Sequence, residues 1–160
     1  MKRAPVIAVI GAGDAPPDVL DLARATGAEL AACGAVLICG GRGGVMAAAA
    51  QGARERGGHT LGLLPGYDPN QANPYIEFVV ASGMGEARNA IIIGSADAVI
   101  ALSGEGGTLS EIGLALKLGR PVVALRAWPQ LEGLYRADNA RAAVAMALEL
   151  CGASSKRPAP

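Results

Sequence analysis

Three stretches of this chain combine clustered glycine with side chains able to meet an anion or move a proton. They are Gly11-Ala12-Gly13-Asp14, Gly40-Gly41-Arg42-Gly43-Gly44-Val45-Met46, and Ser103-Gly104-Glu105-Gly106-Gly107-Thr108-Leu109-Ser110-Glu111. Backbone amides freed of Cβ can converge on a phosphate, and a helix opening just after them adds the positive end of its dipole. Arg42 brings a mobile cation to the second stretch. Four glycines around one arginine are more than a tight turn alone requires. In the third stretch Thr108 and Glu111 have the spacing of a Thr-x-x-Glu capping box. That glutamate therefore has two readings: it satisfies an amide at a helix start, or it points toward the crevice where a bound sugar would lie. Spacing alone leaves both open.

Two familiar phosphate motifs are missing. The first stretch is no GxGxxG fingerprint, because Pro16 stands where the third glycine belongs. The strand before the second stretch ends at Cys39 with no acidic residue for a ribose hydroxyl, which argues against NAD. No GxxxxGK[ST] sequence occurs either.

The elements that position these loops can be read from periodicity. Short apolar runs at 6–10, 35–39, 60–64, 77–81, 98–102 and 122–125 are expected strands. Helices are expected at 17–33, 45–56, 86–94, 109–118 and 140–150. Pro17 and Gly34 suit the two ends of the first of these, and Asn139 suits the cap of the last. The stretch 65–74 is rich in Pro, Gly, Asn and Asp and reads as a loop, and 128–138 reads as irregular or partly helical. Strands alternating with helices imply an α/β fold: a doubly wound, mostly parallel Rossmann-like sheet with helices on both faces. In such sheets ligands bind outside the carboxyl ends of the strands, where all three glycine stretches fall. Residues 1–151 are expected to form a single domain and 152–160 a disordered tail.

Composition narrows the function further. An apolar fraction of 51% against 18% charged residues fits a sheet buried on both faces, and 3% aromatics leaves Val, Ile, Leu and Ala to fill it. A formal charge of zero with no basic stripe argues against a nucleic-acid partner. Cys33, Cys39 and Cys151 form no CxxC pair, and His59 has no ligand-like neighbours, so no metal site is expected. Lys2 and Arg3 before a short apolar run suit a first strand better than a secretory leader. No apolar stretch nears the ~18 residues of a membrane helix, so the expected compartment is the cytoplasm.

Cys39-Gly40-Gly41-Arg42-Gly43-Gly44-Val45-Met46 resembles the CGGxxGxM motif of the Lonely Guy (LOG) family, long misnamed lysine decarboxylases. The stretch from Gly104 to Glu111 resembles that family's GGxGTxxE motif, and Arg88 lies nine residues before Asp97, as the family's arginine precedes a similar aspartate. The resemblance runs from the first strand to the last helix. It implies phosphoribohydrolase chemistry, cleavage of the N-glycosidic bond of a nucleoside 5′-monophosphate, with Arg88 and Glu111 as catalytic residues. A carboxylate can assist an oxocarbenium-like transition state and an arginine can hold a phosphate. Decarboxylation of lysine, which needs pyridoxal phosphate on a Schiff-base lysine, is not expected.

The chain departs from those enzymes at three places. Arg88-Asn89 stands where they have Arg-Lys, Ser103-Gly104-Glu105 where they have Pro-Gly-Gly, and Ser110 where they carry a further Glu. Arg-Asn and Thr-Leu-Ser-Glu look closer to a short branch that includes molybdenum-cofactor carrier proteins. That likeness implies a binding or carrier protein for a phosphate-bearing heterocycle, molybdenum cofactor or a nucleotide, with no cofactor required for chemistry. The expected contacts are Gly11, Gly13, Gly40, Gly41, Arg42, Gly43, Gly44, Met46, Asn89, Gly104, Gly106, Gly107 and Thr108. A homodimer or homotetramer is expected by the same resemblance.

Overall fold

A computed structural model describes residues 3–154. The chain runs β1 (Val6–Ile10), α1 (Pro17–Ala32), β2 (Val36–Cys39), α2 (Val45–Glu55), β3 (Thr60–Leu64), β4 (Phe78–Ala81) and α3 (Arg88–Ser95). It continues through β5 (Ala98–Ala101), α4 (Gly106–Lys117), β6 (Val122–Leu125), β7 (Tyr135–Ala137) and α5 (Ala140–Ser154). One sheet holds all seven strands in the order β4-β3-β2-β1-β5-β6-β7, every pairing parallel. This is the expected Rossmann-like α/β architecture. The strand order reverses between β1 and β5, so their carboxyl ends diverge and open a crevice there.

Alternation along each buried strand sends side chains to two cores. Ile7, Val9, Leu37, Cys39, Ile100 and Val123 pack under α1, α2 and α5. Ala8, Ile10, Ile38, Val99, Ala101 and Val122 pack under α3 and α4. Buried hydrophobic positions carry no aromatic residue, so β-branched and small aliphatic side chains fill the interior as the composition required.

Four boundaries differ from the sequence reading, each for a local reason. Helix α4 begins at Gly106, with Glu105 as the residue before its first turn. Thr108 therefore lies inside the helix, and of the two readings of the Thr108–Glu111 spacing the capping box does not form. The irregular 128–138 stretch contains β7, whose three residues pair with β6 beyond the reach of any periodicity signal. The helix expected at 86–94 starts as a 3-10 turn over Gly85–Ala87 and becomes α-helical only at Arg88. Helix α5 runs on through Ser154, past Gly152, and the rest of the expected tail, 155–160, lies outside the described residues. Asn139 caps α5 as expected, its Oδ1 accepting from the amide of Ala142 at 2.9 Å.

Candidate active or ligand-binding site

A cavity of about 430 Å³ opens at the carboxyl edge of the sheet, at the β1/β5 switch point. Four connections wall it. They are the turn after β1 (Gly11 to Asp14), Gly40 after β2, the turn into α3 (Glu86, Arg88, Asn89), and the start of α4 (Glu105, Gly107, Thr108, Glu111). Met46 completes the lining from the first turn of α2. The volume lies in the range of small-molecule sites.

Arg88 is the structural centre of the cavity floor. Only 7% of it is exposed, and one guanidinium nitrogen, Nη1, donates to the carbonyl oxygens of Gly40 and Leu63 at the ends of β2 and β3. The guanidinium lies over Gly40 so closely that a Cβ there would come within 3.1 Å of both Nη atoms and 2.8 Å of the Met46 sulfur. A side chain at position 40 would therefore crowd the Met46 thioether and press on the guanidinium. Burial pulls the Arg88 pKa below its usual value, and the charge of Arg42 adds to that. The carboxylates of Glu86 and Glu111 oppose it, and Nε has no hydrogen-bond partner.

Glu111 faces the same cavity from the second turn of α4. Burial raises its pKa to about 7, Glu86 pushes in the same direction, and Arg88 pulls against both. No salt bridge among the described residues joins Glu111 to Arg88. The site therefore holds a buried cation braced by main chain beside a carboxyl that exchanges its proton near neutral pH. Ser110 turns away from it: its hydroxyl donates to the carbonyl of Gly107 at 2.7 Å, and the residue is exposed.

The cavity brings together nine of the residues singled out in the sequence: Gly11, Gly13, Gly40, Met46, Arg88, Asn89, Gly107, Thr108 and Glu111. Six others stand outside its lining: Gly41, Arg42, Gly43, Gly44, Gly104 and Gly106. Gly41 and Gly44 adopt positive φ, 74° and 62°. Gly44 also nests against the first turn, where a Cβ would meet the Ala12 carbonyl oxygen at 2.3 Å. Arg42 is exposed and reaches the site only through its charge on Arg88. Ala12, Asp14, Glu86 and Glu105 line the cavity without having been expected as contacts. Glu86 carries no motif in the sequence; it arrives because the 3-10 turn before α3 swings it to the rim. Asp14 and Glu105 sit inside the glycine stretches, so proximity in sequence was the available signal.

A parallel sheet with a glycine-walled cavity at its switch point places the chain in the class of Rossmann-like α/β proteins. Within that class, the chain belongs to the SLOG cluster4 family, whose model matches residues 4–150. It is 42% identical over 128 residues to an uncharacterized protein of Archaeoglobus fulgidus, covering 80% of this chain and 84% of that one. It is 34% identical to the cytokinin riboside 5′-monophosphate phosphoribohydrolase of Mycobacterium marinum, over 74% of this chain and 68% of the relative. Among solved structures, the molybdenum cofactor binding protein of Rippkaea orientalis superposes with a TM-score of 0.89 at 34% identity, covering 94% of this chain and 99% of that one. Among the described residues no group of acidic, His or Cys side chains is placed to hold a metal ion, and no helix is long and apolar enough to cross a membrane.

Proposed function

We propose that this protein binds or carries a phosphate-bearing heterocycle, a nucleotide or the molybdenum cofactor, in the cavity at the β1/β5 switch point. The observation that carries the reading is Arg88. Its Nη1 is occupied by two backbone carbonyls, so it acts as a fixed brace and a source of positive potential more than as a reagent that must move. The glycine-walled cavity and the likeness to a molybdenum cofactor binding protein support the same reading. Ser110, in the place where the hydrolases of the resembling family carry a second glutamate, is turned out of the cavity and supplies no acid. Calorimetric titration with nucleoside 5′-monophosphates and phosphorylated pterins tests it. Micromolar binding by at least one of them is expected, and nothing tighter than millimolar across the panel would refute it.

One observation favours a second reading, hydrolysis of the N-glycosidic bond of a nucleoside 5′-monophosphate. Glu111 has a pKa of about 7 beside Arg88 in a cavity of the right size, which suits a group that gives or takes a proton at neutral pH. Release of free base that disappears in Glu111→Ala, with the fold intact, would establish this activity. We further read the chain as a single cytoplasmic domain working as a homodimer or homotetramer. Phe78 and Val80 on edge strand β4 and Ile91 on α3, exposed by 53%, 46% and 41%, support association, which sedimentation velocity would test.

A further inference from the structure

The 103–107 loop, which carries one wall of the cavity, is tied down through the carbonyl of its first residue and that of Leu102 just before it. The oxygen of Ser103 accepts from the amide of Ala12 at 2.9 Å, linking this loop to the turn after β1. The oxygen of the fully buried Leu102 accepts from the indole Nε1 of Trp128 at 2.8 Å. Ala12 passes the link on, its own carbonyl accepting from the amide of Val45 at the start of α2, 3.0 Å away. Three glycine loops thus form one connected body, and Trp128 holds one end of it from outside the cavity lining.

The segment that presents Trp128 is bent in an uncommon way. Arg126 and Trp128 have φ of 53° and 58°, and they are the non-glycine residues with positive φ among those described. Such conformations persist only where the surroundings over-determine them. Arg136 on β7 supplies that constraint. Its guanidinium donates to the carbonyls of Leu131 at 2.6 Å and Trp128 at 3.0 Å, with longer contacts of 3.4 Å to Ala127 and Pro129. The amide of Arg126 donates to the carbonyl of Ala137 at 3.1 Å, closing the segment onto β7. Neither Trp128 nor Arg136 has any part in the chemistry described so far.

We propose that Trp128 is a positioning residue for the ligand site: its indole N–H, aimed by the Arg136-clamped bend, sets where the 103–107 loop stands and so how tightly the cavity closes on its ligand. The proposal rests on the reading of that cavity as a ligand site. Trp128→Phe keeps an aromatic ring in the packing and removes the N–H. Two readouts separate the proposal from the reading beneath it. The first is amide hydrogen exchange without ligand. The Ala12 amide is expected to exchange about ten-fold faster in the variant, while the distant Leu37 amide, bonded to the His59 carbonyl at 3.0 Å, keeps its rate. The second is the Kd for adenosine 5′-monophosphate, expected to rise about five- to ten-fold, the size of one lost hydrogen bond, alongside a lowered thermal midpoint because the buried Leu102 carbonyl loses its indole partner. Unchanged Ala12 exchange overturns the positioning role. So does unchanged AMP affinity in a variant that folds, and in that case the ligand site itself still stands. If AMP binds neither protein, the ligand reading fails for that nucleotide and exchange at Ala12 alone decides for or against Trp128. Should Trp128→Phe not fold, Arg136→Lys releases the same bend, and the same two measurements apply to it.

Discussion

The loop at 40–44 and the loop at 103–107 look alike in sequence, each a glycine cluster between a strand and a helix, yet they do different work. In the first, Gly40 and Gly44 are crowded by what packs on them, while Gly43 meets only an ordinary contact. Gly40 lies under the Arg88 guanidinium, and Gly44 is folded at positive φ against the carbonyls of Ala12 and Gly13. In the second, Gly104 alone is crowded, by the Thr108 side chain, while a Cβ on Gly106 or Gly107 would meet nothing within 4 Å. The first loop is architecture that holds the site's cation. The second leaves open space beside the site's proton-bearing carboxyl. Glycine for packing and glycine for access cannot be told apart from composition; the difference lies in what occupies the place of the missing Cβ.

The sharpest way to break this comparison is Gly44→Ala. The new methyl would sit 2.3 Å from the Ala12 oxygen and 2.5 Å from that of Gly13, on a backbone at φ 62°. Both contacts are main chain and cannot swing away. A loss of more than about 3 kcal/mol in urea unfolding is expected. A variant as stable as the parent would show that the first loop is as permissive as the second.

Next in size is the carboxyl beside the second loop. A glutamate whose folded pKa is raised from 4.5 to about 7 keeps its proton in the folded state where the unfolded chain has lost it. The folded state then binds more protons between these values, so this group's contribution to stability falls as pH rises through that window and levels off above it. Glu111→Gln removes the penalty. The variant is expected to gain on the parent progressively from pH 4.5 to 7, by at most roughly 3 kcal/mol at pH 8. Parallel denaturation curves across that range measure it, and a difference that stays flat with pH would mean Glu111 is not desolvated.

Most of the frame was readable because it rests on repeating local signals. Continuous apolar runs at 6–10 and 60–64 coincide with β1 and β3, and the Asn139 cap and the proline start of α1 are chemical signals one residue long. The site was readable where a motif marks it, as at Gly40, Gly107 and Glu111. What escaped depends on distance in the chain. Glu86 reaches the rim through a 3-10 turn, Trp128 reaches the 103–107 loop across 26 residues, and β7 exists by virtue of its pairing with β6. The Thr108–Glu111 spacing left a cap and a cavity-facing carboxylate equally open, and the cap does not form because α4 begins earlier, at Gly106. The same shift puts Glu111 in the second turn, where it faces the cavity.

A smaller effect separates the outer anchors of the two loops. Asn73 holds the first loop from outside, its Nδ2 donating to the carbonyl of Arg42 at 2.8 Å and its Oδ1 accepting from the amide of Tyr75 at 3.0 Å. Its own amide donates to the carbonyl of Gly41 and survives substitution. Asn73→Ala is expected to cost about 1 kcal/mol, since these bonds are partly open to water and the packing against Arg88 is untouched. Ligand affinity should change less than two-fold. A large drop in affinity would place the first loop's outer rim in the binding site after all.

The smallest change in stability, and the most telling for function, is Gly107→Ala. Position 107 is in the first turn of α4, where alanine suits a helix better than glycine, and its surroundings leave room for a methyl group. Stability should stay level or rise by up to about 0.5 kcal/mol. That room is part of the cavity itself, since Gly107 lines it with Thr108 and Glu111. A methyl there trims the space and blocks close approach to the amides at the helix start, so nucleotide or pterin affinity should fall about ten-fold or more. Gly44→Ala would destabilise the protein without informing on its ligand; Gly107→Ala would leave a stable protein that binds poorly. Equal affinity in parent and Gly107→Ala would mean that the open space beside α4 is not where the phosphate-bearing ligand rests, and the search would move to the Asp14 side of the same cavity.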